Sequence, residues 1–461
     1  MNDEESASYD VVVLGGGSGG YATALRAAQL GQSVVLVEAD QLGGTCLHRG
    51  CIPTKSLLHC AHVADQVRSA AEYGVLAELQ GLDIGAMHKH KDRVVSRMHK
   101  GLRSLLSSRD ITVIPGRGTV VDRGAVSVHD TTVRGRHLVL ATGSRSRSLP
   151  GVSIGGRVIT SDQALAMEWI PRSAIIVGGG VIGVEFASLW RSLGVEVTIL
   201  EALPRLIAGE DAAMSSGLER ALGKRGITVR TGVRTEEIVD QERHAQVTVE
   251  DGSTLTAEVV LVAVGRDPVT SPTDLENAGV ELDRGFVRTD ERQRTTADGV
   301  YAVGDIVAGP QLAHRAFAHG IVVAEDIAGL DPQPVPAESI PRITYSYPEV
   351  AAVGLTEEQA REQHGDEAVR TVEYNLAGNA RTQIQRGQGM VKLVHLADGP
   401  ILGVHAIGPG VGELIGEAQL MVGWQAYPED VAPLVHAHPT QNESLGEAAL
   451  ALAGKPLHSN H

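Results

Sequence analysis

The chain carries the same glycine-rich pattern twice, and this duplication constrains its fold more than any other feature. The first copy is an apolar segment, the run Gly15-Gly16-Gly17-Ser18-Gly19-Gly20, a helical stretch and a second apolar segment that ends at Glu38. The second copy has the same parts around Gly178-Gly179-Gly180-Val181-Ile182-Gly183 and ends at Glu201. In both copies the carboxylate lies 23 positions after the first glycine. Each copy therefore predicts a strand, a tight turn, a helix and a parallel strand, the unit that binds dinucleotides.

The three key glycines of each copy have separate physical roles. The first permits a sharp turn, the second lets the backbone approach a pyrophosphate, and the third lets the helix pack closely on the strand. The helix also offers free amide groups and the positive end of its dipole to the phosphates. A pair of glycine turns without a ligand is the alternative. The predicted contacts are Gly15, Gly17, Gly20 and Glu38 in the first copy and Gly178, Gly180, Gly183 and Glu201 in the second.

The second carboxylate also predicts which nicotinamide cofactor is used. Glu201 is placed to accept hydrogen bonds from ribose hydroxyls, and its charge would repel a 2′-phosphate, so the sequence favours NAD over NADP. Arg205, four residues later, would weaken this preference if it folded back; otherwise it is a solvated loop charge.

Length and charge set the broad class of the protein. At 461 residues the chain is long enough for about two to four domains. Its net charge of −16 disfavours nucleic acid and anionic membranes as partners, because both are polyanions. The acidic start, Met1 to Ser6, has no apolar run, and no stretch of about 20 apolar residues occurs. We therefore expect a cytoplasmic protein without a membrane segment.

Two of the three cysteines, Cys46 and Cys51, stand five positions apart. A disulfide that closes so short a loop stabilises a fold weakly, and cytosolic disulfides are usually catalytic. The pair therefore favours a dithiol that cycles with its disulfide during turnover. Two buried structural thiols and half of a zinc site are the alternatives, although zinc needs further ligands at close spacing. Cys60 has no such ligands nearby and is expected to be an inert core thiol, so no metal site is predicted.

Further segments extend the plan beyond the glycine motifs. A strand that runs into Gly304-Asp305 at a helix entrance indicates a ribityl or phosphate contact, and Asp305 as a helix N-cap is a compatible alternative. Prolines at positions 332, 334 and 336 mark a linker. The predicted elements are helices over 55–73 and 88–107, a strand ending at 140–144, a connection over 145–151, a strand over 259–266, and strands over 342–353 and 390–407.

Together these features resemble the pyridine nucleotide–disulfide oxidoreductases, most closely those that oxidise dihydrolipoyl groups. The matching segments cover nearly the whole chain: 15–20, 43–55, 141–143, 178–185, 304–305, 312–314, 348–350 and 436–443. The resemblance implies an α/β protein with two Rossmann-like dinucleotide-binding domains and a C-terminal α+β interface domain. The implied bounds are 1–150 for the FAD domain, 151–272 for the NAD domain, 273–341 for a segment that completes the FAD domain, and 342–461 for the dimerisation domain.

The resemblance also implies cofactors, partners and an activity. FAD and NAD⁺ would serve the oxidation of protein-bound dihydrolipoyl groups. The implied partners are a second copy, in a homodimer with shared active sites, and the lipoyl domains and core acyltransferase of 2-oxoacid dehydrogenase complexes, or the glycine cleavage system. The further positions that match cofactor contacts are Gly44, Thr45, Lys55, Thr142, Gly143, Ser144, Gly304, Asp305, Leu312, Ala313 and His314 for FAD, and Gly265 for NAD.

The cysteine segment has its own expected chemistry. Pro53 suits the first turn of a helix that Cys51 opens, and a thiolate at a helix amino end is stabilised. Lys55, four residues after Cys51, projects from the same face. The resemblance makes Cys51 the sulfur beside the flavin, Lys55 a neighbour of the reactive flavin nitrogen, and Cys46 the outer sulfur attacked by substrate. Glu185 matches the carboxylate that pairs with this lysine, so we expect contact between them; a plain surface lysine is the alternative.

A base is also needed, because only a thiolate attacks a disulfide. The resemblance gives this role to His438, reaching across the dimer interface, with Glu443 orienting its imidazole. The run from Thr440 to Glu443 is also a capping box with Thr440 as the N-cap. Glu443 therefore caps a helix, orients the histidine, or does both.

Two positions depart from the usual family pattern: His319, where an acid is usual, and Tyr347, where histidine is frequent. They bear only on local contacts near the flavin and the substrate channel. A reductase of glutathione or mycothiol disulfides would use the same two cysteines for the reaction in the opposite direction. Glu201 and the His-Ala-His-Pro-Thr run argue against this alternative. A mercuric reductase needs an extra cysteine pair near the carboxyl end, and this sequence has none. A flavoprotein transhydrogenase would lack a pair such as Cys46 and Cys51. A non-catalytic subunit that only holds FAD would not need the full catalytic set.

Overall fold

The computed structural model describes residues 8–271 and 274–458, and it confirms the predicted α/β class. Each glycine motif lies in its own sheet, the first mixed and the second entirely parallel, and an antiparallel sheet follows near the carboxyl end. The strands of the first motif contain continuous apolar runs rich in valine, and Val11, Val12 and Val13 are fully buried. Such runs are typical of parallel strands with both faces covered.

The first unit holds the amino-terminal glycine motif and the cysteines. Its elements are β1 (Ser8–Leu14), α1 (Ser18–Gln29), β2 (Val34–Glu38), α2 (Gly44–Arg49), α3 (Cys51–Ser69), α4 (Ile84–Ser107), β3 (Thr112–Pro115), β4 (Gly118–Asp122), β5 (Ala125–Val128), β6 (Thr131–Leu140) and β7 (Ser144–Ser146). The strand order is β3-β2-β1-β6-β5-β4, and the pairs β3-β2, β2-β1 and β1-β6 are parallel. Helices α2 and α3 leave this sheet together and carry the two cysteines.

The second unit repeats the plan. Its elements are β8 (Val158–Ile159), α5 (Ser161–Ala164), β9 (Ser173–Val177), α6 (Val181–Ser192), β10 (Glu196–Leu200), α7 (Ala212–Lys224), β11 (Thr228–Arg230), β12 (Thr235–Asp240), β13 (Ala245–Val249), β14 (Thr254–Ala257), β15 (Val259–Val262) and β16 (Arg266–Pro268). The parallel sheet has the order β11-β10-β9-β15-β8, and β12-β13-β14 form a separate antiparallel sheet. The segment predicted only as a connection after position 144 contains β7, which pairs with β16.

The chain then returns to the first unit. This segment contains β17 (Leu282–Asp283), β18 (Phe286–Val287), β19 (Val300–Ala302) and α8 (Ala313–Ile327). Strand β19 pairs in parallel with the end of β6, so the segment adds a strand to the first sheet. Helix α8 packs on α1 through Gly320, where a Cβ would lie 2.6 Å from the Gly19 carbonyl oxygen.

The carboxyl-terminal unit is an antiparallel sheet covered by helices. Its elements are β20 (Arg342–Thr344), β21 (Glu349–Gly354), α9 (Glu357–His364), β22 (Val369–Asn375), α10 (Ala380–Ile384), β23 (Met390–Leu396), β24 (Ile401–Gly408), α11 (Ile415–Gly423), α12 (Pro428–Val431) and α13 (Glu443–Leu452). The strand order is β20-β21-β24-β23-β22. Each of the two long strands predicted here therefore divides into a pair of strands.

The two predicted amino-terminal helices differ in how well their starts were predicted. Helix α3 begins at Cys51, as predicted for the cysteine segment, whereas α4 begins at Ile84, before the predicted start at 88, where the Asp83 side chain accepts the Ala86 amide at 2.9 Å. Gly81 and Gly85 flank this start, and because glycine disfavours a helix the sequence pattern did not predict the first turn of α4. Helix α3 packs across the boundary between units, because its Leu57 and Ala61 join the apolar cluster of the second unit. Within the described residues, no helix is both long enough and apolar enough to cross a membrane.

Candidate active site

The two glycine turns have equivalent geometry. Gly15 and Gly178 have positive φ angles of 107° and 114°, and a Cβ on either would overlap a carbonyl oxygen of the neighbouring strand end. A Cβ on Gly20 or Gly183 would overlap the carbonyl oxygen of the first glycine of its own turn. By contrast, no heavy atom lies within 4 Å of a Cβ built on Gly180. The first and third glycines are therefore required by close packing, and the second leaves space for a ligand.

The carboxylate that ends each motif is held by backbone amides. Glu38 accepts the Gly16 amide at 2.5 Å and the Asp40 amide at 2.8 Å. In the second unit, Glu201 accepts the amides of Gly179 at 2.5 Å and Leu203 at 2.7 Å. Both side chains are thus held in place at the strand ends, where ribose hydroxyls would donate to them.

Arg205 does not fold back towards Glu201. Its guanidinium donates to the Ala208 carbonyl at 3.1 Å and pairs with Glu358 at 3.4 Å. The preference that the Glu201 charge gives for NAD is therefore not offset by this arginine, which is partly buried rather than a free loop charge.

One large cavity joins the two glycine turns to the cysteines. Its volume is about 1380 Å³, above the roughly 300–1,000 Å³ that a site for one small ligand needs. A cavity of this size, lined by both glycine turns and by the cysteines, fits two dinucleotides that meet near the cysteines. The predicted site residues that line it are Gly17, Thr45, Cys46, Cys51, Lys55, Gly143, Ser144, Gly178, Gly180, Glu185, Glu201, Gly265, Gly304, Asp305, Leu312, Ala313 and His314.

Several predicted site residues do not line this cavity. Thr142 turns away, since its hydroxyl donates to the Val269 carbonyl at 2.6 Å. The others form the turns behind the lining or belong to the carboxyl-terminal unit: Gly15, Gly20, Glu38, Gly44, Gly183, His438 and Glu443.

Cys46 and Cys51 lie side by side at the cavity wall as free thiols joined by a hydrogen bond. That hydrogen bond from Cys46 is the main cause that lowers the pKa of Cys51 to about 7, with help from the Lys55 charge and against the effect of burial. The same bond, together with burial, raises the pKa of Cys46. Cys51, at the start of α3, is therefore the more acidic thiol of the pair and the one that ionises near neutral pH.

Lys55 and Glu185 are in contact, as expected from the resemblance, so the surface-lysine alternative is wrong. Lys55 Nζ lies 2.9 and 2.8 Å from the two oxygens of Glu185, whose side chain is 4% exposed. Sequence reasoning missed Tyr345, whose amide donates to Glu185 at 3.0 Å and whose ring centroid lies 4.7 Å from Nζ. No motif marks this tyrosine, because only the fold brings β20 beside α6.

His438 and Glu443 form a hydrogen-bonded pair of 2.7 Å in the carboxyl-terminal unit. The second oxygen of Glu443 accepts the Thr440 amide at 2.7 Å, so this carboxylate holds both the imidazole and the backbone that leads into α13. The predicted capping box is wrong in its other half, because the N-cap is Asn442 and the Thr440 hydroxyl donates to the Ala437 carbonyl. These hydrogen bonds outweigh the desolvation by burial and lower the pKa of Glu443. The His438 side chain is 71% exposed.

A second histidine pair, which sequence reasoning missed, supports the same loop. His436 lies 2.7 Å from Glu417, and the other oxygen of Glu417 accepts the Asn442 side-chain amide at 2.6 Å. Glu417 therefore holds the chain on both sides of His438. The His-Ala-His spacing is the one sequence signal that points to a role for His436 beside His438.

Asp305 is linked through Ser144 to the strand pair formed by β7 and β16. The Ser144 hydroxyl donates to Asp305 at 2.5 Å and accepts from Arg266 Nε at 2.7 Å. Asp305 is not the N-cap of α8, because that position is Leu312. Its carboxylate instead stays at the cavity wall, as a ribityl or phosphate contact requires.

The two departures from the family pattern lie outside the cavity lining. His319 is buried, its Nδ1 has no hydrogen-bond partner among the described residues, and desolvation next to Arg315 lowers its pKa to about 4. The ring centroid of Tyr347 lies 5.4 Å from that of His62 and 5.3 Å from the Arg225 guanidinium.

Cys60 is a free thiol of intermediate exposure, so the prediction of a core position is wrong, although burial raises its pKa. Within 8–271 and 274–458, no group of three or more His, Cys, Asp or Glu side chains is arranged to hold a metal ion.

Comparison with known proteins agrees with this geometry. Residues 9–320 match the family "pyridine nucleotide-disulphide oxidoreductase", and residues 340–449 match its dimerisation domain. Dihydrolipoyl dehydrogenase of Bacillus subtilis is 39% identical over 98% of this chain and 100% of its own. The mitochondrial dihydrolipoyl dehydrogenase of Pisum sativum is 38% identical over 97% of this chain and 92% of its own.

Solved structures show the same architecture. LpdA from Mycobacterium tuberculosis superimposes with a TM-score of 0.89 at 27% identity, covering 96% of this chain and 99% of its own. The HOCl-induced flavoprotein disulfide reductase RclA from Escherichia coli gives 0.85 at 28% identity, covering 96% and 99%. The chain belongs to the pyridine nucleotide–disulphide oxidoreductase family and carries its dimerisation domain.

Proposed function

We propose that this chain is a dihydrolipoyl dehydrogenase, which oxidises protein-bound dihydrolipoyl groups to the lipoyl disulfide with NAD⁺ as the final acceptor. The observation that carries the proposal is the cysteine pair. Cys51 and Cys46 lie side by side and open onto a cavity lined by the two glycine turns, and the pKa of Cys51 is lowered to about 7. The relatives named dihydrolipoyl dehydrogenase at 38–39% identity support the same activity.

The residues present fit both cofactors. Open space at Gly180 and the fixed carboxylate of Glu201 suit an NAD pyrophosphate and ribose. In the first unit, Gly17 faces the cavity beside Asp305 and the amino end of α8, which suits FAD. FAD supplies the electron acceptor for the dithiol, and NAD⁺ removes the electrons as NADH.

The chain's own residues account for the sulfur chemistry. The partner subunit's His438 takes the proton from a substrate thiol, and the resulting thiolate attacks Cys46. A substrate–Cys46 disulfide forms, the Cys46–Cys51 disulfide breaks, and Cys51 leaves as a thiolate favoured by Lys55 and the helix start. The second substrate thiol then attacks its neighbouring sulfur, releasing the oxidised lipoyl group and the Cys46 thiol.

A homodimer with shared active sites completes this scheme. The exposed His438 is absent from the lining of the cysteine cavity of its own chain, so it serves the cavity of a second copy. Large apolar side chains of the same carboxyl-terminal unit are exposed, Val435 at 97%, Leu434 at 58% and Trp424 at 77%, and their burial would favour dimer formation. The physiological substrates are the lipoyl domains of 2-oxoacid dehydrogenase or glycine cleavage complexes.

A steady-state assay tests the proposal. The purified protein should be yellow and should reduce NAD⁺ with dihydrolipoamide, and Cys46→Ser and Cys51→Ser should each abolish this activity. Cys60→Ser is the matched control and should retain it. Colourless folded protein, or turnover in either single variant, would refute the proposal. Faster reduction of glutathione disulfide by NADH would assign the reverse class of reaction instead.

A further inference from the structure

Helix α4 carries the most concentrated positive charge of an otherwise acidic protein. Between Ile84 and Ser107 there are six lysine and arginine residues and a single acid, Asp92, whereas the whole chain has a net charge of −16. Asp92 pairs with Lys91 of the same helix at 3.2 Å. This helix therefore has an excess of positive charge, whereas the chain as a whole has an excess of negative charge.

Five of these cations form one exposed stripe. At about 100° per residue their positions fall within a third of the helix circumference, and the stripe is about 21 Å long. No ion pair or side-chain hydrogen bond is formed by any of the five within the described chain. The stripe residues are Lys89, Arg93, Arg97, Lys100 and Arg103, all exposed.

The stripe borders the active site. His99, beside Arg103 on the helix surface, packs edge-to-face on His48 with ring centroids 5.0 Å apart. His48 follows Cys46 by two residues in α2 and is fixed by a 2.9 Å contact with the Leu42 carbonyl. On its other side, α4 is held to the second unit through Lys91 and the Leu165 carbonyl at 3.3 Å. A body bound along the stripe would therefore lie next to the element that carries the outer sulfur.

From this placement we propose that the α4 stripe is a docking surface for the acidic face of the small protein domain that bears the dithiol. The inference rests on the proposed function and adds its recognition surface. Unpaired cations beside a reaction centre attract an acidic partner and orient it during encounter. The net charge of −16 opposes duplex DNA and anionic membranes, which are extended polyanions that would also meet the acidic remainder of the surface.

Charge reversal on the stripe tests the docking surface with two substrates. Arg93→Glu/Arg97→Glu/Lys100→Glu should lower kcat/KM about tenfold or more for a dihydrolipoyl group on an acidic lipoyl domain, since steering contributes about 10- to 10³-fold. The kcat/KM for free dihydrolipoamide, which carries no charge, should not change. The triple Gln variant should show the same effect to a smaller degree, with less risk to folding.

A matched control reverses the same amount of charge elsewhere. Arg117, Arg220 and Arg243 are exposed and form no ion pair among the described residues, so Arg117→Glu/Arg220→Glu/Arg243→Glu should leave the lipoyl-domain rate close to that of the unmodified enzyme. Raising the ionic strength from about 0.01 to 0.15 M should slow the unmodified enzyme on the domain and barely affect the stripe variant.

Distinct outcomes separate the two proposals. An equal loss in the stripe and control variants, or an equal loss on both substrates, would overturn the docking surface. So would a stripe variant that loses affinity for DNA or anionic vesicles while oxidising the lipoyl domain normally. If the unmodified enzyme oxidised neither substrate, the proposed function itself would fail, and the docking surface would fail with it.

Discussion

Lys55 and Glu185 join the two nucleotide-binding units by one ion pair directly behind the reactive cysteine. Nζ lies 2.9 and 2.8 Å from the two carboxylate oxygens, and Glu185 also accepts the Tyr345 amide, so three parts of the chain meet at one buried carboxylate. Lys55 is thereby fixed one helical turn from Cys51, where its charge lowers the pKa of the thiol. The position of the glutamate thus sets the electrostatics of the sulfur.

Replacing this lysine should shift the titration of Cys51. Lys55→Met removes a cation that lowers the pKa of Cys51, so the pKa should rise from about 7 and the thiolate fraction at pH 7 should fall. The rate of iodoacetamide alkylation of the reduced enzyme, measured against pH in a Cys60→Ser background, reports this value. Glu185→Gln should shift the curve the opposite way, because Glu185 raises the same pKa. Curves that coincide for all three proteins would contradict the assignment.

The proposed base can be tested apart from the rest of the cycle. His438→Gln should slow reduction of the enzyme by dihydrolipoamide by about 10²- to 10⁴-fold, the usual contribution of a positioned base. Its reduction by NADH should be unaffected, because that step needs no substrate thiolate. Stopped-flow absorbance measures the rate of reduction by dihydrolipoamide and the rate of reduction by NADH separately.

His458→Gln is the matched control for the base, since His458 makes the same 2.7 Å contact with Glu447 through Nδ1. It should reduce at the normal rate. Normal reduction of the His438 variant by dihydrolipoamide would remove this histidine from the mechanism.

Much of this architecture could be predicted from the sequence because its determinants are local. The glycine turns, the carboxylates 23 positions later and the cysteine pair are contiguous motifs whose residue types the geometry requires. What could not be predicted depends on contacts distant in sequence. Tyr345 at Glu185 and Glu417 beside His436 meet only after sheets and helices pack. The start of α4 was missed because a side-chain cap at Asp83 outweighs two nearby glycines.

Glu417 should act as a positioning residue for His438. It accepts hydrogen bonds from His436 and Asn442, on either side of that histidine, without contacting it. Glu417→Ala frees this loop, and kcat with dihydrolipoamide should fall about tenfold, since small misplacements of catalytic groups cost up to about 10²-fold. In Glu417→Gln only one side-chain oxygen remains to accept a hydrogen bond from His436 or Asn442. This variant should therefore recover part of the lost kcat, with KM nearly constant. A purely structural role would instead lower thermal stability in both variants and leave kcat of the folded enzyme unchanged.

Cofactor choice should depend on Glu201. Its carboxylate is held by two amides at the strand end, so it cannot turn away from a 2′-phosphate. Glu201→Ala should lower the ratio of kcat/KM for NAD⁺ over NADP⁺ by at least about tenfold, which corresponds to about 1.4 kcal/mol. Arg205→Ala is the control and should leave the ratio unchanged, because Arg205 is occupied by Ala208 and Glu358. A ratio insensitive to Glu201 would place discrimination elsewhere.

The junction between the second and carboxyl-terminal units should be the acid-sensitive part of the fold. Lys392, 5% exposed, lies 2.9 Å from Asp211 and 2.7 Å from Glu357. Asp211 also accepts the Ala213 amide as the N-cap of α7. Asp211→Ala removes the more deeply buried of the two carboxylates that pair with Lys392, together with the α7 cap, so it should destabilise the protein by about 3 kcal/mol, and adding Lys392→Met should recover part of this loss.

The same junction fixes the sign of the pH dependence. Although desolvation by burial raises the pKa of Asp211, its hydrogen bonds from Lys392 and the Glu357 amide outweigh it and hold the pKa below the ordinary value. A depressed carboxyl pKa contributes stability that is fully present above the unfolded-state pKa, near 4, and is lost as the pH falls through the folded-state value. The thermal midpoint should therefore fall more steeply below about pH 4 in the unmodified protein than in the Asp211→Ala/Lys392→Met double variant. Parallel acid profiles for the two proteins would show that other carboxylates control acid unfolding.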